Sequence, residues 1–128
     1  MKNKFYIYFI LFVIFFKSLI SYAENIDFDV TKLEIYENGN LIKGLDGGKA
    51  IINTNSEITA EYFEYNKITT LLKAFGNAVL VDKNNNIIIK AEKIFYLKSE
   101  QKIYTEGQTF FDIEKKYEGE SSDVVYYR

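Results

Sequence analysis

The 128-residue sequence contains no cysteine, histidine, tryptophan or proline. Without cysteine and histidine it has no disulfide, no Cys/His zinc site, no thiol nucleophile and no Ser-His-Asp triad. Only carboxylates, lysine, tyrosine, serine and threonine remain for chemistry, which sets aside most familiar enzyme classes. What is abundant is aromatic: 11 Tyr and 11 Phe. At 48% hydrophobic and 27% charged residues, the chain has the composition of a folded domain and not of a disordered polyelectrolyte. Its length allows one small domain.

The chain opens as an export signal. Lys2 and Lys4 are followed by twelve consecutive apolar and aromatic residues, 5–16, stopped by Lys17. Ser21 and Ala23 then stand at the −3 and −1 positions of a cleavage site before Glu24. This order of basic, apolar and small-residue regions describes a cleaved signal peptide over residues 1–23. A membrane-spanning anchor would need about 20 apolar residues. The mature chain, residues 24–128, keeps 13 basic and 18 acidic residues, a net charge of −5. That balance offers no basic patch for nucleic acid.

The mature chain repeats itself. Ala60-Glu61-Tyr62-Phe63-Glu64-Tyr65 aligns with Ala91-Glu92-Lys93-Ile94-Phe95-Tyr96 at an offset of 31, and a further step reaches Ser122-Asp123-Val124-Val125-Tyr126-Tyr127. The same offset carries Ile58 to Ile89, Leu72 to Ile103, Gly76 to Gly107 and Leu80 to Phe111. Turn-forming breaks occur at Gly39-Asn40, Asp46-Gly47-Gly48, Asn53-Thr54-Asn55, Asn66-Lys67, Asn84-Asn85-Asn86 and Ser99-Glu100. Between them the chain is β-branched and aromatic, which suits pleated strands. A helix over residues 60–75 is the competing reading, rejected because the copy at 87–96 is a β-type run. The sequence therefore predicts an all-β domain of about eight meandering strands.

Alternation assigns faces. Leu72, Ala74, Gly76, Ala78 and Leu80 share one face of their strand, and Ile103, Thr105, Gly107, Thr109 and Phe111 share one face of the next. Small residues on that inner face would leave room for a ligand. Residues 87–96 resist a single assignment: Ile87, Ile89 and Ala91 lie on one face, Ile94 and Tyr96 on the other. A bulge near Glu92 would reconcile them.

These residues resemble the OstA-like lipopolysaccharide-transport family, the domain shared by LptA, LptC and the N-terminal part of LptD. The resemblance is carried by residues 87–96, by the recurring Ala-Glu-x-apolar-x-Tyr, and by Ala74-Phe75-Gly76-Asn77-Ala78-Val79. The opening residues 28–36 and the Tyr65-Asn66-Lys67 step are most similar to the N-terminal domain of LptD. LptD continues into an outer-membrane barrel, so this reading makes the chain a fragment with incomplete C-terminal strands, and a short LptA-like protein is the alternative.

The resemblance implies a β-jellyroll of two-strand units, period about 31, folded as a V-shaped open trough. Such a trough shields the lipid A acyl chains of lipopolysaccharide and docks edge to edge with other transport proteins by strand pairing. It implies a periplasmic, outer-membrane-associated protein with no cofactor, no metal and no catalysis. Burying acyl chains stabilises by about 0.8 kcal/mol per CH₂, and free sheet edges are natural sites for strand addition. The positions it places inside are Ile58, Ala60, Ile89 and Ala91 on one wall and Leu72, Leu80, Ile103 and Phe111 on the opposite wall. A structural or adhesive β-repeat with a dry core and no lipid is the rival reading.

Other residues have blander roles. Glu61, Glu92 and Asp123 could serve as paired catalytic carboxylates, but they recur once per unit, as structural positions do. Asp27, Asp29 and Asp46 match no calcium-loop spacing. Tyr62, Tyr65, Tyr96, Tyr126 and Tyr127 are cross-strand partners or, less simply, a sugar-stacking platform.

Overall fold

The computed structural model describes residues 25–128, so the signal-peptide reading of residues 1–23 lies outside the described residues. Nine strands fill almost all of the described chain: β1 (Asp27–Tyr36), β2 (Leu41–Asn53), β3 (Ser56–Ala60), β4 (Tyr62–Asn66), β5 (Leu71–Asp82), β6 (Ile87–Leu97), β7 (Lys102–Ile113), β8 (Tyr117–Ser122) and β9 (Val125–Tyr127). All belong to one antiparallel sheet, in which β3 and β4 together fill the place between β2 and β5 and β8 and β9 together lie along β7. Each pair is one strand broken in the middle, at Glu61 and at Asp123-Val124. The connectivity is the expected meander.

The hairpin tips are built by short polar side chains turning back on their own backbone. Asn53 Oδ1 accepts from the Asn55 N–H at 2.8 Å, and Asn66 Oδ1 from Ile68 N–H at 2.9 Å and Thr69 N–H at 3.1 Å. Asp112 Oδ1 accepts from Lys115 N–H at 3.1 Å. These are Asx turns, which explains why Asn and Asp mark the breaks in this proline-free sequence.

Asp46-Gly47-Gly48 is not such a break. It lies within the 13-residue β2, where Asp46 has φ +62°, Gly47 +84° and Gly48 +145°. The same left-handed signature occurs mid-strand in β5, at Gly76 (+87°) and Asn77 (+45°), and in β7, at Gly107 (+83°). Backbone hydrogen bonds join these places sideways. Gly47 N–H donates to Glu61 O at 2.9 Å, Glu61 N–H to Gly76 O at 3.2 Å, and Asp123 N–H to Gly107 O at 3.1 Å. The register also shifts here, between Val30 and Lys32, Phe75 and Ala78, and Ala91 and Lys93. A line of kinks thus crosses the sheet at right angles to the strands and folds it into two walls.

The first wall holds residues 32–36, 41–45, β4, 71–75, 93–97, 102–106 and β9. The second holds 27–30, 48–53, β3, 78–82, 87–91, 108–113 and β8. The walls face each other: the Phe28 ring in the second meets Phe63 and Tyr65 in the first, with centroids at 6.0 and 6.4 Å. The core lies between them, and Ile58, Phe63, Leu72, Leu80 and Ile94 are completely buried. Each of these side chains stabilises the fold by about 2 kcal/mol through removal from water.

The ambiguity in β6 resolves at the kink line. Ile87, Ile89 and Ala91 face inward, Glu92 and Lys93 are both exposed, and Ile94 and Tyr96 face inward again. The small residues also acquire a reason. Ala60, Ala74, Ala78, Ala91, Thr105 and Thr109 are buried beside the kinks, where the walls converge. They form the apex of the fold.

Candidate functional site

Between the walls, inward side chains align across strands into two rows running from one sheet edge to the other. In the second wall the register places Phe28 opposite Ala50, Ala50 opposite Ile58, Ile58 opposite Leu80, Leu80 opposite Ile89 and Ile89 opposite Phe111. In the first wall it places Ile35 opposite Ile42, then Tyr65, Leu72, Tyr96, Ile103 and Tyr126 in succession. A period-two strand puts every second residue on one face, so the lateral continuity of these rows comes from the register alone.

All eight expected lining residues face the interior, but their division between walls is corrected. Ile58, Leu80, Ile89 and Phe111 form a single row on the second wall, while Leu72 and Ile103 stand on the first. Each long strand bends at the kink and so contributes to both walls, which a strand-by-strand assignment cannot capture. Ala60 and Ala91 lie at the apex, both 8% exposed.

The rows are dry in the middle and open at the ends. Leu72, Leu80 and Ile58 are fully buried, whereas Leu33 and Ile35, on the inward face of β1, are 48% and 61% exposed. At the opposite end an apolar recess of about 190 Å³ is lined by Ile87, Ile89, Phe111, Ile113, Val124, Val125 and Tyr126. Of the eight expected residues, Ile89 and Phe111 line this recess.

A polar cluster closes the rim beside it. Asp82 is at an inward position of β5 and is 1% exposed. Its carboxylate accepts from Asn84 N–H at 3.1 Å, Asn85 Nδ2 at 2.9 Å and the Tyr126 hydroxyl at 3.1 Å. Arg128 Nη2 donates to Ser56 Oγ at 3.1 Å, and Arg128 Nε lies 4.0 Å from Asp82 Oδ2. Burial alone would raise the Asp82 carboxyl, but hydrogen bonds from Asn85 and Tyr126, with the Arg128 charge, outweigh it and hold the group below its ordinary value. Burial, chiefly, and the neighbouring Asp82 charge push the Tyr126 phenol up. The alternation of Leu72 to Leu80, continued by one step, is the sequence signal that would have found Asp82 as an inward charge.

The repeated carboxylates serve the kinks. Glu92 Oε2 accepts from Asn77 N–H at 3.4 Å, Glu61 Oε1 from Asn77 Nδ2 at 3.3 Å, and Asp123 Oδ1 from Gly107 N–H at 2.8 Å. Glu92 and Asp123 satisfy backbone N–H groups that the bent strands leave unpaired, and Glu61 holds the Asn77 side chain. Among the described residues no group of three or more acidic side chains is placed to hold a metal ion.

The tyrosines do not form one platform. Tyr65, Tyr96 and Tyr126 belong to the inward row. Tyr62 instead joins a ladder with Phe75, Phe95 and Tyr104, whose successive centroids are 6.0, 5.7 and 4.7 Å apart. Tyr126, opposite Ile103, is therefore the structural counterpart of Tyr65 and Tyr96, a place the sequence alignment gives to Tyr127.

A kinked antiparallel meander with an apolar interior open at both edges is the LptA-like β-jellyroll. Among solved structures the chain is similar to LptH of Pseudomonas aeruginosa, described as the LptA homologous periplasmic component of the conserved lipopolysaccharide transport device. The TM-score is 0.71 at 13% sequence identity, over 80% of this chain and 76% of that one. No family model and no curated protein sequence matches the chain.

Proposed function

We propose that this protein is a lipopolysaccharide-transport module of the periplasm, exported by its N-terminal signal and working at the outer membrane. The observation that carries the reading is the pair of facing apolar rows that run from edge to edge and reach solvent at both ends. Their long direction is perpendicular to the strands, so cargo moving along them passes from one edge strand to the other. Acyl chains would lie against Ile58, Leu80, Ile89 and Phe111 on one side and Leu72 and Ile103 on the other, with Ala60 and Ala91 at the apex. The sugars would stay in water.

The two outer strands support docking. β1 pairs only with β2, and β8 and β9 pair only with β7, leaving backbone donors and acceptors on both margins. Strand addition by a neighbouring transport protein would extend both the ladder and the apolar rows. Within this class, the opening strand and the Tyr65-Asn66-Lys67 step favour the N-terminal domain of LptD. The solved LptH supports the general reading through its fold and its stated role.

A second reading has its own support. The centre of the rows is packed dry, with Ile58, Leu72 and Leu80 wholly buried, as a structural β-repeat would require. A photo-crosslinking residue at Ile89, and separately at Lys90, separates the two in the presence of lipopolysaccharide. The transport reading expects adducts at Ile89 and none at Lys90, whose side chain lies on the outer face. Adducts at neither position, from a folded protein, would leave the structural repeat.

A further inference from the structure

The outer surfaces of the two walls carry opposite charge. Alternation turns five lysines of the first wall outward, Lys32, Lys43, Lys73, Lys93 and Lys102, with three glutamates, Glu34, Glu64 and Glu106, a balance of +2. The outward positions of the second wall carry Lys49 and Lys90 against Asp27, Asp29, Glu57, Asp112, Glu118 and Glu120, a balance of −4. Between the walls, Glu61 and Glu92 are engaged by Asn77 on the kink line. One face is thus locally positive in a mature chain whose net charge is −5.

The positive face is also apolar. Tyr62, Phe75, Phe95 and Tyr104 run across it as a continuous ladder of rings, flanked by Leu71 and Leu97, which are paired in register. Among the described residues Lys73 and Lys93 pair with Glu64 and Glu106 at 3.8 and 3.9 Å, while Lys32, Lys43 and Lys102 form no ion pair. Lys43 and Lys102 instead lie over the rings of Tyr36 and Tyr104, 5.3 and 5.4 Å from the centroids. A lysine laid on a ring keeps a charge that no carboxylate compensates.

We propose that the outer face of the first wall is a contact surface for an anionic lipid bilayer. Neighbouring strands lie about 4.8 Å apart, so a face built from β1, β2, β4, β5, β6 and β7 is about 25 Å wide and suits a planar partner. Uncompensated lysines attract anionic headgroups, and Tyr and Phe rings suit the boundary between headgroups and acyl chains. The negative second wall is repelled by the same surface, which fixes the orientation. The ladder favours lipid over saccharide: Phe95 and Tyr104 stack at 6° between planes and Tyr62 and Phe75 at 12°, so the rings cover one another's faces and present edges. The contact concerns the outside of the module and is independent of what fills the trough.

Because the sequence has no tryptophan, one introduced indole reports on each wall. Tyr104→Trp marks the outer face of the first wall and Phe110→Trp that of the second; both native rings are half-buried with a lysine above them. Residues 1–23 are left off, so that the apolar run 5–16 cannot itself enter lipid, and all nine strands lie in the part kept. Vesicles of phosphatidylglycerol mixed with phosphatidylcholine should shift the emission of Tyr104→Trp to the blue and leave Phe110→Trp unmoved, and phosphatidylcholine alone should shift neither. Replacing Lys32, Lys43 and Lys102 together by Gln should weaken vesicle binding about tenfold or more, whereas the same change at Lys83, Lys115 and Lys116, on hairpin tips of the second wall, should alter it by less than about twofold. No shift at position 104 overturns the proposal and leaves the face to an acidic protein partner. Equal shifts at both positions, or equal losses from both lysine sets, overturn it as general charge attraction.

Discussion

The Tyr126 hydroxyl donates to the Asp82 carboxylate at 3.1 Å, joining residues 44 positions apart and linking the two walls of the trough. Because the bond involves a carboxylate held in its charged form, it makes the fold sensitive to acid. Asp82 titrates below its ordinary value in the folded protein. Its contribution is therefore complete above the unfolded-state value of about 3.9 and is lost as pH falls through the lower folded value. Urea midpoints should drop below about pH 4 in the native protein, and Asp82→Asn should be less stable near neutrality by about 2 kcal/mol with a shallower acid limb. An unchanged acid limb would remove Asp82 from the account.

At the alkaline end the sign is reversed. Burial, then the hydrogen bond to Glu64 and the surrounding negative charge, push the Tyr62 phenol up to about 12. The unfolded chain ionises it first, so its share of stability is present below about pH 10 and declines as pH rises toward the folded value. Tyr62→Phe should flatten that decline, and tyrosinate absorbance should show one fewer late-titrating phenol.

The kink line makes two glycines unequal. A Cβ on Gly48 would collide with the backbone of β1 at Asp29 and Val30, where φ is already +145°. At Gly107, with φ +83°, a Cβ would meet nothing within 4 Å. Gly48→Ala should destabilise by about 3 kcal/mol, combining overpacking with a disfavoured backbone. Gly107→Ala should cost about 1 kcal/mol, the backbone term alone. Chemical denaturation of the two variants measures the difference.

Core and open end should also separate. Leu80→Ala, at the wholly buried centre of a row, should cost about 3 kcal/mol by leaving a cavity. Ile35→Ser, at the exposed end, should change stability by no more than about 0.5 kcal/mol yet weaken lipopolysaccharide binding severalfold. Thermal melts and a binding titration on the same two proteins test this division.

Much of this architecture is legible in the alternation of side chains and in the turn residues. The meander, the Asn-rich turns and the inward parity of β5 and β7 all follow from period-two alternation between turn signals. The walls were not legible, since alternation says which face a residue takes but not where a strand bends. Gly47 and Gly48 look like a hairpin turn in sequence and become a kink only when Glu61 and Gly76 lie alongside. The third repeat was misaligned by one residue at its tyrosine, because Asp123 keeps its place beside Gly107 while the following segment is one residue shorter. Asp82 ends β5 and its carboxylate caps the Asn84-Asn85 turn, while its second role depends on Tyr126 and Arg128 arriving from the far end of the chain.

The central claim is that the apolar rows bind the acyl part of lipopolysaccharide. Its most direct test is displacement of an apolar fluorescent probe from residues 24–128 by intact lipopolysaccharide and, separately, by the deacylated saccharide. Displacement by the intact lipid alone is the predicted result. Equal displacement by the deacylated saccharide, or none by either while the probe remains bound, would contradict it.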